Sequence, residues 1–348
     1  MKGVGSVSKY KLGKHTYCFP EPVYIAGWAS VAGKKESEGP LASYFDLTSQ
    51  DTYFGQKSWE LAEKHMQQLA LQILGKKTAT NPKTYDAVLS GDLLNQCISS
   101  SFPLLNTGIP HIGLYGACST MAESLMLGAF LIGGGYMDTA VAMTSSHFAS
   151  SERQYRFPLG YGGQRTPTSQ WTVTGSGAVL LKKYGKGPQI THCTIGTVKE
   201  LGIKDANNMG AAMAPAAYET ICTHFEDTKE DPGTYDLIVT GDLGQLGKEL
   251  LLSMAVQNGL PIGGKLADCG TLVFDTLSQD VHAGGSGCGC SAITLCGYLL
   301  SKLQSGKLKK ILFCGTGALL SPTSTQQGLP IPGVCHAVTI SGESLWTI

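Results

Sequence analysis

Two stretches decide the fold: Tyr85-Asp86-Ala87-Val88-Leu89-Ser90-Gly91-Asp92-Leu93 and, 150 residues on, Tyr235-Asp236-Leu237-Ile238-Val239-Thr240-Gly241-Asp242-Leu243. The Tyr-Asp pair and the Gly-Asp-Leu triplet recur in place, and the four positions between exchange one apolar or hydroxyl residue for another of its kind. The apolar run in each is too short for a helix and does not alternate, which is the pattern of a strand covered on both faces of its sheet. Downstream, Gly116-Ala117-Cys118-Ser119 and Gly289-Cys290-Ser291 each open an apolar helix, ending near Gly133 and Gly306. Each helix leads into a further apolar strand, Thr139 to Thr144 and Lys310 to Cys314. Strand, glycine elbow, helix and strand therefore occur twice in the same order, an internal duplication. The spacing grows from 150 to 172 residues between the landmarks, so the second half carries about 22 extra residues there. The expected architecture is α/β, in two similar halves (residues 1–185 and 186–348) packed as one body, because no Pro- or Ser-rich linker separates them.

Composition narrows the function classes. Only 15% of the 348 residues are charged and 45 are glycine, a balance that excludes a disordered chain and calls for backbones in close approach. The 26 basic and 26 acidic groups cancel, which removes the electrostatic footprint of a nucleic-acid binder. Eleven cysteines, an odd number, are scattered through apolar runs such as Ile311-Leu312-Phe313-Cys314, where a reduced thiol acts as a small hydrophobe. No basic n-region and apolar h-region open the chain, and the longest apolar stretch, Leu125 to Ile132, has 8 residues. A membrane helix needs about 20. We therefore expect a soluble chain whose membrane association, if any, is peripheral.

The segment His111 to Gly135 carries the sharpest chemical signal. A short apolar strand, Ile112 to Tyr115, meets Gly116, then Cys118, then Thr120 and Glu123 at capping-box spacing. Cys118 thus stands at or just before a helix N-terminus, where free N–H groups and the helix dipole favour a thiolate or a bound anion. The plainer reading, a small core residue, suits most of the other ten cysteines. Cys288-x-Cys290 with His282 lacks a second ligand pair and reads as glycine-rich packing rather than a metal site. The remaining glycine clusters lack the Gly-Lys-Ser/Thr of a phosphate loop.

All three arginines, Arg153, Arg156 and Arg165, fall within thirteen residues of a chain that otherwise uses 23 lysines. The planar guanidinium pairs with carboxylates in a two-pronged geometry that lysine cannot copy. Ser145, Ser146, His147, Gln154, Tyr155, Tyr161 and Gln164 surround them in sequence. Because Ser145-Ser146-His147 follows the strand after the Cys118 helix, these groups are expected at the same crevice, beyond the carboxyl ends of the strands. A solvated arginine-rich turn or a subunit contact is the competing reading.

Seven segments carry a resemblance: Gly91-Asp92-Leu93-Leu94-Asn95-Gln96, Gly116-Ala117-Cys118-Ser119-Thr120, Thr144-Ser145-Ser146-His147 with Glu152-Arg153-Gln154, Thr174-Gly175-Ser176-Gly177-Ala178, Met213-Ala214-Pro215-Ala216-Ala217, Ala283-Gly284-Gly285-Ser286-Gly287-Cys288 and Gly317-Ala318-Leu319-Leu320-Ser321-Pro322. They run in order through nearly the whole chain. Through them the sequence resembles the thiolase-like superfamily and, within it, the stage V sporulation protein AD family of spore-forming bacteria. The resemblance implies a five-layer αβαβα fold and a protein that binds dipicolinic acid (pyridine-2,6-dicarboxylate), alone or as its calcium chelate, for uptake into the developing spore. It further implies a homodimer without cofactor, peripheral at the spore inner membrane beside the other proteins of the dipicolinate channel.

Condensing enzymes of the superfamily pair the elbow cysteine with a histidine on the second-half strand end and an asparagine in a following Gly-Asn-Thr-Ser loop. Cys118 matches the nucleophile. Gly241, or Asp242 with a slip of one, stands in place of the histidine, and Ser286 in place of the asparagine. The resemblance thus implies a binding protein with no catalytic residue, with Cys118, His147 and Arg153 in its pocket and Arg156, Asp242 and Ser286 beside them. Asp242 would repel a dianion unless it is paired, protonated or in contact with accompanying calcium. The alternative is an acyltransferase that uses Cys118 and acyl-CoA substrates, with His147 or His282 as base and a thiol of lowered pKa. A third reading is a structural scaffold with the arginines as a docking surface.

Overall fold

The structure, a computed structural model, describes residues 9–155 and 165–342. The first half contains β1 (Thr16–Ala32), β2 (Leu47–Thr48), α1 (Trp59–Thr78), β3 (Ala87–Gly91), α2 (Ile98–Ser101), β4 (His111–Gly113), α3 (Thr120–Gly133), β5 (Thr139–Ser146), α4 (Phe148–Tyr155), β6 (Trp171–Thr172) and β7 (Gly175–Lys182). The second contains β8 (Gln189–Thr194), α5 (Met209–Thr228), β9 (Leu237–Thr240), α6 (Gly244–Gln257), β10 (Leu266–Asp268), α7 (Cys269–Val273), β11 (Gly285–Ser286), α8 (Cys288–Ile293), α9 (Leu300–Gln304), β12 (Lys310–Ala318), α10 (Pro322–Gln326) and β13 (Gly333–Ser341). A six-residue π-helical stretch, Thr294–Leu299, joins α8 to α9.

Strand order makes the duplication visible. The main sheet runs β10-β9-β12-β13-β8-β1-β7-β5-β3-β4, which reads the same from both ends once β3, β4, β5, β7 and β1 are matched with β9, β10, β12, β13 and β8. Parallel and antiparallel neighbours match as well, and the two halves join through the antiparallel pair β1·β8. The repeat also reaches upstream of the two sequence stretches. Helices α1 and α5 are 20 residues each, capped by Ser58 and Asn208 and closed by left-handed Ala79 and Lys229. A proline turn capped by Asn81 or Asp231 then feeds each buried strand. The recurring aspartate has one job in both halves. Asp86 Oδ2 accepts the N–H groups of Asp138 and Thr139, both at 2.9 Å, and Asp236 Oδ2 those of Lys309 (2.5 Å) and Lys310 (3.0 Å). Each aspartate pins the entry of its strand to the neighbouring strand.

The layers follow from where apolar faces can be covered. Helix α3 lies between the halves, against β3, β5 and β7 on one side and β12 and β13 on the other, with α8 beside it against β5 and β7. Helix α1 covers the outer face of the first half, and α5, with α6 packed on it, that of the second. This is the five-layer αβαβα arrangement. The glycine excess has a purpose at the inner layer. A Cβ on Gly315 would come 2.5 Å from the Ala122 methyl of α3, and one on Gly177 would come 2.6 Å from the Ala292 carbonyl oxygen of α8. Only bare backbone lets the inner helices settle this close. Gly177→Val should therefore cost about 1–3 kcal/mol of stability, measured by denaturant unfolding, while the same change at the open position Gly264 costs little.

Candidate functional site

Both inner helices point their N-termini at one cleft. Helix α3 begins after Ser119 and α8 after Gly287. The residues immediately before those caps, Cys118 and Ser286, line the cleft together with Leu93, Ser151, Tyr155 and Leu320, among others, around a space of about 470 Å³ counted out to its open mouth. By helix starts, the counterpart of Cys118 is thus Ser286, not Cys290, which is buried inside α8. The second inner helix runs on through the π-helical stretch to Gln304 and absorbs the difference.

The elbow is made by Ala117, whose φ of 51° turns the chain left-handed at a strain of about 1–2 kcal/mol. The Thr120–Glu123 capping box does not form. Thr120 Oγ1 instead donates to the Ala117 carbonyl (2.7 Å) and accepts from the Gly116 N–H (3.1 Å), closing the elbow on itself.

Below the cleft lies Asp242, fully buried. Its Oδ1 accepts from Thr316 Oγ1 (2.8 Å) on β12 and its Oδ2 from the Gly287 N–H (2.9 Å), while the Cys118 thiol hydrogen-bonds the same carboxyl. Burial raises the Asp242 pKa to about 6 against these donors. The loop that carries it is held from below, because Asp268 accepts the N–H groups of Leu243 (2.8 Å) and Gly244 (3.0 Å).

The expected helix-terminal thiolate is overturned. Cys118 is 6% exposed, and burial first, then the negative charge of Asp242, push its pKa well above the ordinary thiol value. A helix N-terminus contributes a fraction of a charge, whereas desolvation and a whole carboxylate act in the opposite sense. Of Gly241 and Asp242, it is Asp242 that supplies a side chain meeting the cysteine.

Other candidate residues lie elsewhere. His147 is buried but turned from the cleft: its Nε2 donates to the Thr52 carbonyl (2.8 Å), its Nδ1 accepts the Ala149 N–H (3.2 Å), and burial lowers its pKa. Arg153 pairs with Glu60 and lies over the Trp59 ring at 5.3 Å. Arg165 donates to the Asp280 carbonyl (3.0 Å) and carboxylate (3.2 Å). The described arginines therefore do not converge on the cleft, and Arg156 lies outside the described residues. His282, half-exposed, faces Asp280. Among the described residues no group of three His, Cys, Asp or Glu side chains could hold a metal ion. Of the polar side chains named with the arginines, Tyr155 does reach the cleft wall, fixed by its hydroxyl to the Leu93 carbonyl (2.5 Å). Met209, Ala318 and Leu320 also line the cleft. For Ala318 the available signal is its place at the carboxyl end of β12, the counterpart of β5; nothing local marks Met209.

The family model for stage V sporulation protein AD matches residues 13–341. The chain belongs to the stage V sporulation protein AD family. It is 43% identical over 326 residues to stage V sporulation protein AD of Bacillus subtilis (strain 168), covering 94% of this chain and 96% of that one. Solved structures of similar fold include 3-oxoacyl-[acyl-carrier-protein] synthase III from Aquifex aeolicus VF5 (TM-score 0.57, 13% identity, 92% of this chain and 99% of that one). A variant of OleA from Xanthomonas campestris gives a TM-score of 0.59 at 13% identity, over 93% of this chain and 99% of that one. At such identity these likenesses establish the thiolase-like fold alone. Among the described residues no helix is long and apolar enough to cross a membrane.

In this member of the sporulation family, the Cys118 thiol is therefore expected to alkylate slowly at neutral pH. Asp242→Asn, by removing the carboxylate charge, should speed alkylation about tenfold, followed by mass spectrometry with iodoacetamide. An unchanged rate would mean that burial alone controls the thiol.

Proposed function

We propose that this chain is a non-catalytic receptor of the spore that binds dipicolinic acid, alone or as its calcium chelate, in the cleft between Cys118 and Ser286, and serves its uptake into the developing spore. The observation that carries the reading is the state of the elbow. A nucleophilic cysteine needs a base that takes its proton, and Asp242 meets the Cys118 thiol as a hydrogen-bonded neighbour that raises its pKa. On this reading Asp242 and Ser286 replace the histidine and asparagine of the condensing enzymes.

What supports the ligand class is the lining. Leu93, Ala117, Ala318 and Leu320 give an apolar slot suited to an aromatic ring, with the hydroxyls of Ser151, Tyr155, Thr172 and Ser286 around it. Ser151 Oγ is buried without a hydrogen-bond partner among the described residues, a donor free to meet a carboxylate. The two inner-helix N-termini add backbone N–H groups of the favourable sign. The protein would act as a homodimer, peripheral at the spore inner membrane and in contact with the other proteins of the dipicolinate channel. The family resemblance supports that placement.

Titration calorimetry with dipicolinate should show saturable binding, weakened about tenfold by Ser151→Ala. Arg153→Ala should leave it nearly unchanged, because Glu60 and Trp59 already engage that guanidinium. Incubation with a panel of acyl-CoA thioesters should give no mass-shifted protein. A covalent acyl adduct on Cys118 would replace this reading with the acyltransferase one.

A further inference from the structure

Helix α4 supplies Ser151, Glu152 and Tyr155 to the cleft wall, and its foot rests on a buried polar chain built from neutral donors between two carboxyls. Glu63 on α1 and Asp92 just after β3 are both fully buried. Ser100 Oγ donates to Asp92 Oδ2 (2.6 Å), and Gln67 Nε2 donates to both Ser100 Oγ (3.0 Å) and Ser145 Oγ (2.8 Å). Ser145 Oγ donates to Glu63 Oε1 (3.0 Å). On α4, Ser150 Oγ lies 2.8 Å from Glu63 Oε2 and 3.1 Å from the His147 carbonyl oxygen.

Counting protons shows where one more belongs. Both amide protons of Gln67 go to Ser100 and Ser145, whose own protons go to Asp92 and Glu63. Ser150 has one proton and two acceptors. With a proton on Glu63 Oε2, that proton goes to Ser150 and the Ser150 proton goes to His147, so each contact has a donor and an acceptor. With Glu63 ionised, Ser150 must give up the His147 carbonyl, and two buried anions face each other across neutral groups. Burial first, then the charge of Asp92, hold Glu63 at a pKa of about 8.

Among the described residues, the other groups packed here do not supply a cation. Cys288 of α8 donates its thiol to the Ser145 carbonyl (3.0 Å), and Cys97 beside Asp92 is held protonated by burial. His147 at the foot of α4 is kept neutral and directed to Thr52. The Arg153–Glu60 pair sits at the solvent end of α1.

We propose that Glu63 is a proton latch for the cleft: protonated, it fixes Ser150 and with it the α4 wall, and deprotonated, it loosens that wall and sets a second negative charge behind the cleft. The first effect stands on the network alone. The second, on an anionic ligand, rests on the dipicolinate reading.

The direction with pH follows from linkage. The folded-state pKa of Glu63, about 8, lies above its ordinary 4.5, so the folded chain holds the proton more tightly than the unfolded one. That contribution to stability is fully present below the ordinary value and is lost as pH rises to about 8. Asp92 and Asp242 rise to about 6 and Glu36 and Asp268 to about 7, so they give a similar decline at lower pH, and the buried thiols, raised above the ordinary 9.0, add a decline toward pH 9; both are shared with Glu63→Gln, so the difference in slope isolates Glu63.

Thermal unfolding of the ligand-free full chain between about pH 7 and about pH 9 tests the latch. Wild type should lose melting temperature over the lower part of this range. Glu63→Gln keeps a permanent N–H toward Ser150 and an oxygen toward Ser145, and should show a slope smaller by about one proton. Equal slopes for wild type and Glu63→Gln overturn the latch. Should Glu63→Gln fold poorly, infrared difference spectra of wild type decide instead: a protonated-carboxyl band lost above pH ~8 supports the latch, and its absence at neutral pH overturns it. Dipicolinate affinity, followed over the same range, should fall with pH in wild type and stay level in Glu63→Gln. A complete lack of dipicolinate binding counts against the ligand reading, and the unfolding slopes then decide the latch by themselves.

Discussion

The buried carboxyl of Asp242 is the node on which the cleft depends. It reaches the cleft floor from the loop after β9, accepts a hydroxyl from β12 and an N–H from the elbow before α8, and meets the thiol of the elbow before α3. Four separate parts of the chain are thus placed by one side chain with two oxygens. A charge so buried is costly unless each lone pair finds a donor, and the donors present are those that bring the two inner-helix N-termini to the same spot. Geometry and chemistry come from the same contact: burial first, and then the charge of the group that seats the Cys118 elbow, keep its thiol protonated.

The duplication explains how such a node arises. The triplet Gly-Asp-Leu ends the buried strand of both halves, and both aspartates are fully buried, yet they have different partners. Asp92 turns to the Leu94 N–H and Ser100 and belongs to the chain beneath α4, whereas Asp242 turns to Gly287 and Thr316 and belongs to the elbows. One inherited position has become, in one half, a support for the wall and, in the other, the floor. The strand-entry aspartates Asp86 and Asp236 have kept one role, because each ties neighbouring strands by backbone N–H groups that any sequence would offer.

This difference marks how far the sequence can be read. Periodicity and repetition expose the fold, since a fully apolar strand before a glycine elbow has few physical solutions, and Gly116 and Cys118 place one elbow correctly. Side-chain direction is another matter. His147 follows β5 directly and still faces Thr52, whose carbonyl its Nε2 meets. The arginines are adjacent in sequence, yet Arg153 is taken by Glu60, 93 residues away, and Arg165 by Asp280, 115 away. The thiol's state depends on Asp242, 124 residues from Cys118, a coupling that no local pattern carries.

The neutral total charge conceals a division of labour. The two described arginines are engaged away from the cleft, by Glu60 at Arg153 and Asp280 at Arg165, while the cleft wall carries Glu152 and the interior near it holds Glu63, Asp92, Asp242 and Asp268 without a lysine or arginine among the described hydrogen-bond partners of those four. A dicarboxylate entering such a cleft would be met by hydroxyls and helix N–H groups rather than by the two described arginines. Those donors are effective only while the acids behind them are neutral or saturated with hydrogen bonds, because an unscreened carboxylate at short range outweighs a few partial charges in a low-dielectric site. On the dipicolinate reading the proton on Glu63 is then part of the binding surface, and the hydroxyl chains around the buried acids, Ser100, Ser145 and Ser150 on one side and Thr240 and Thr316 on the other, are the means by which the fold holds those acids in place.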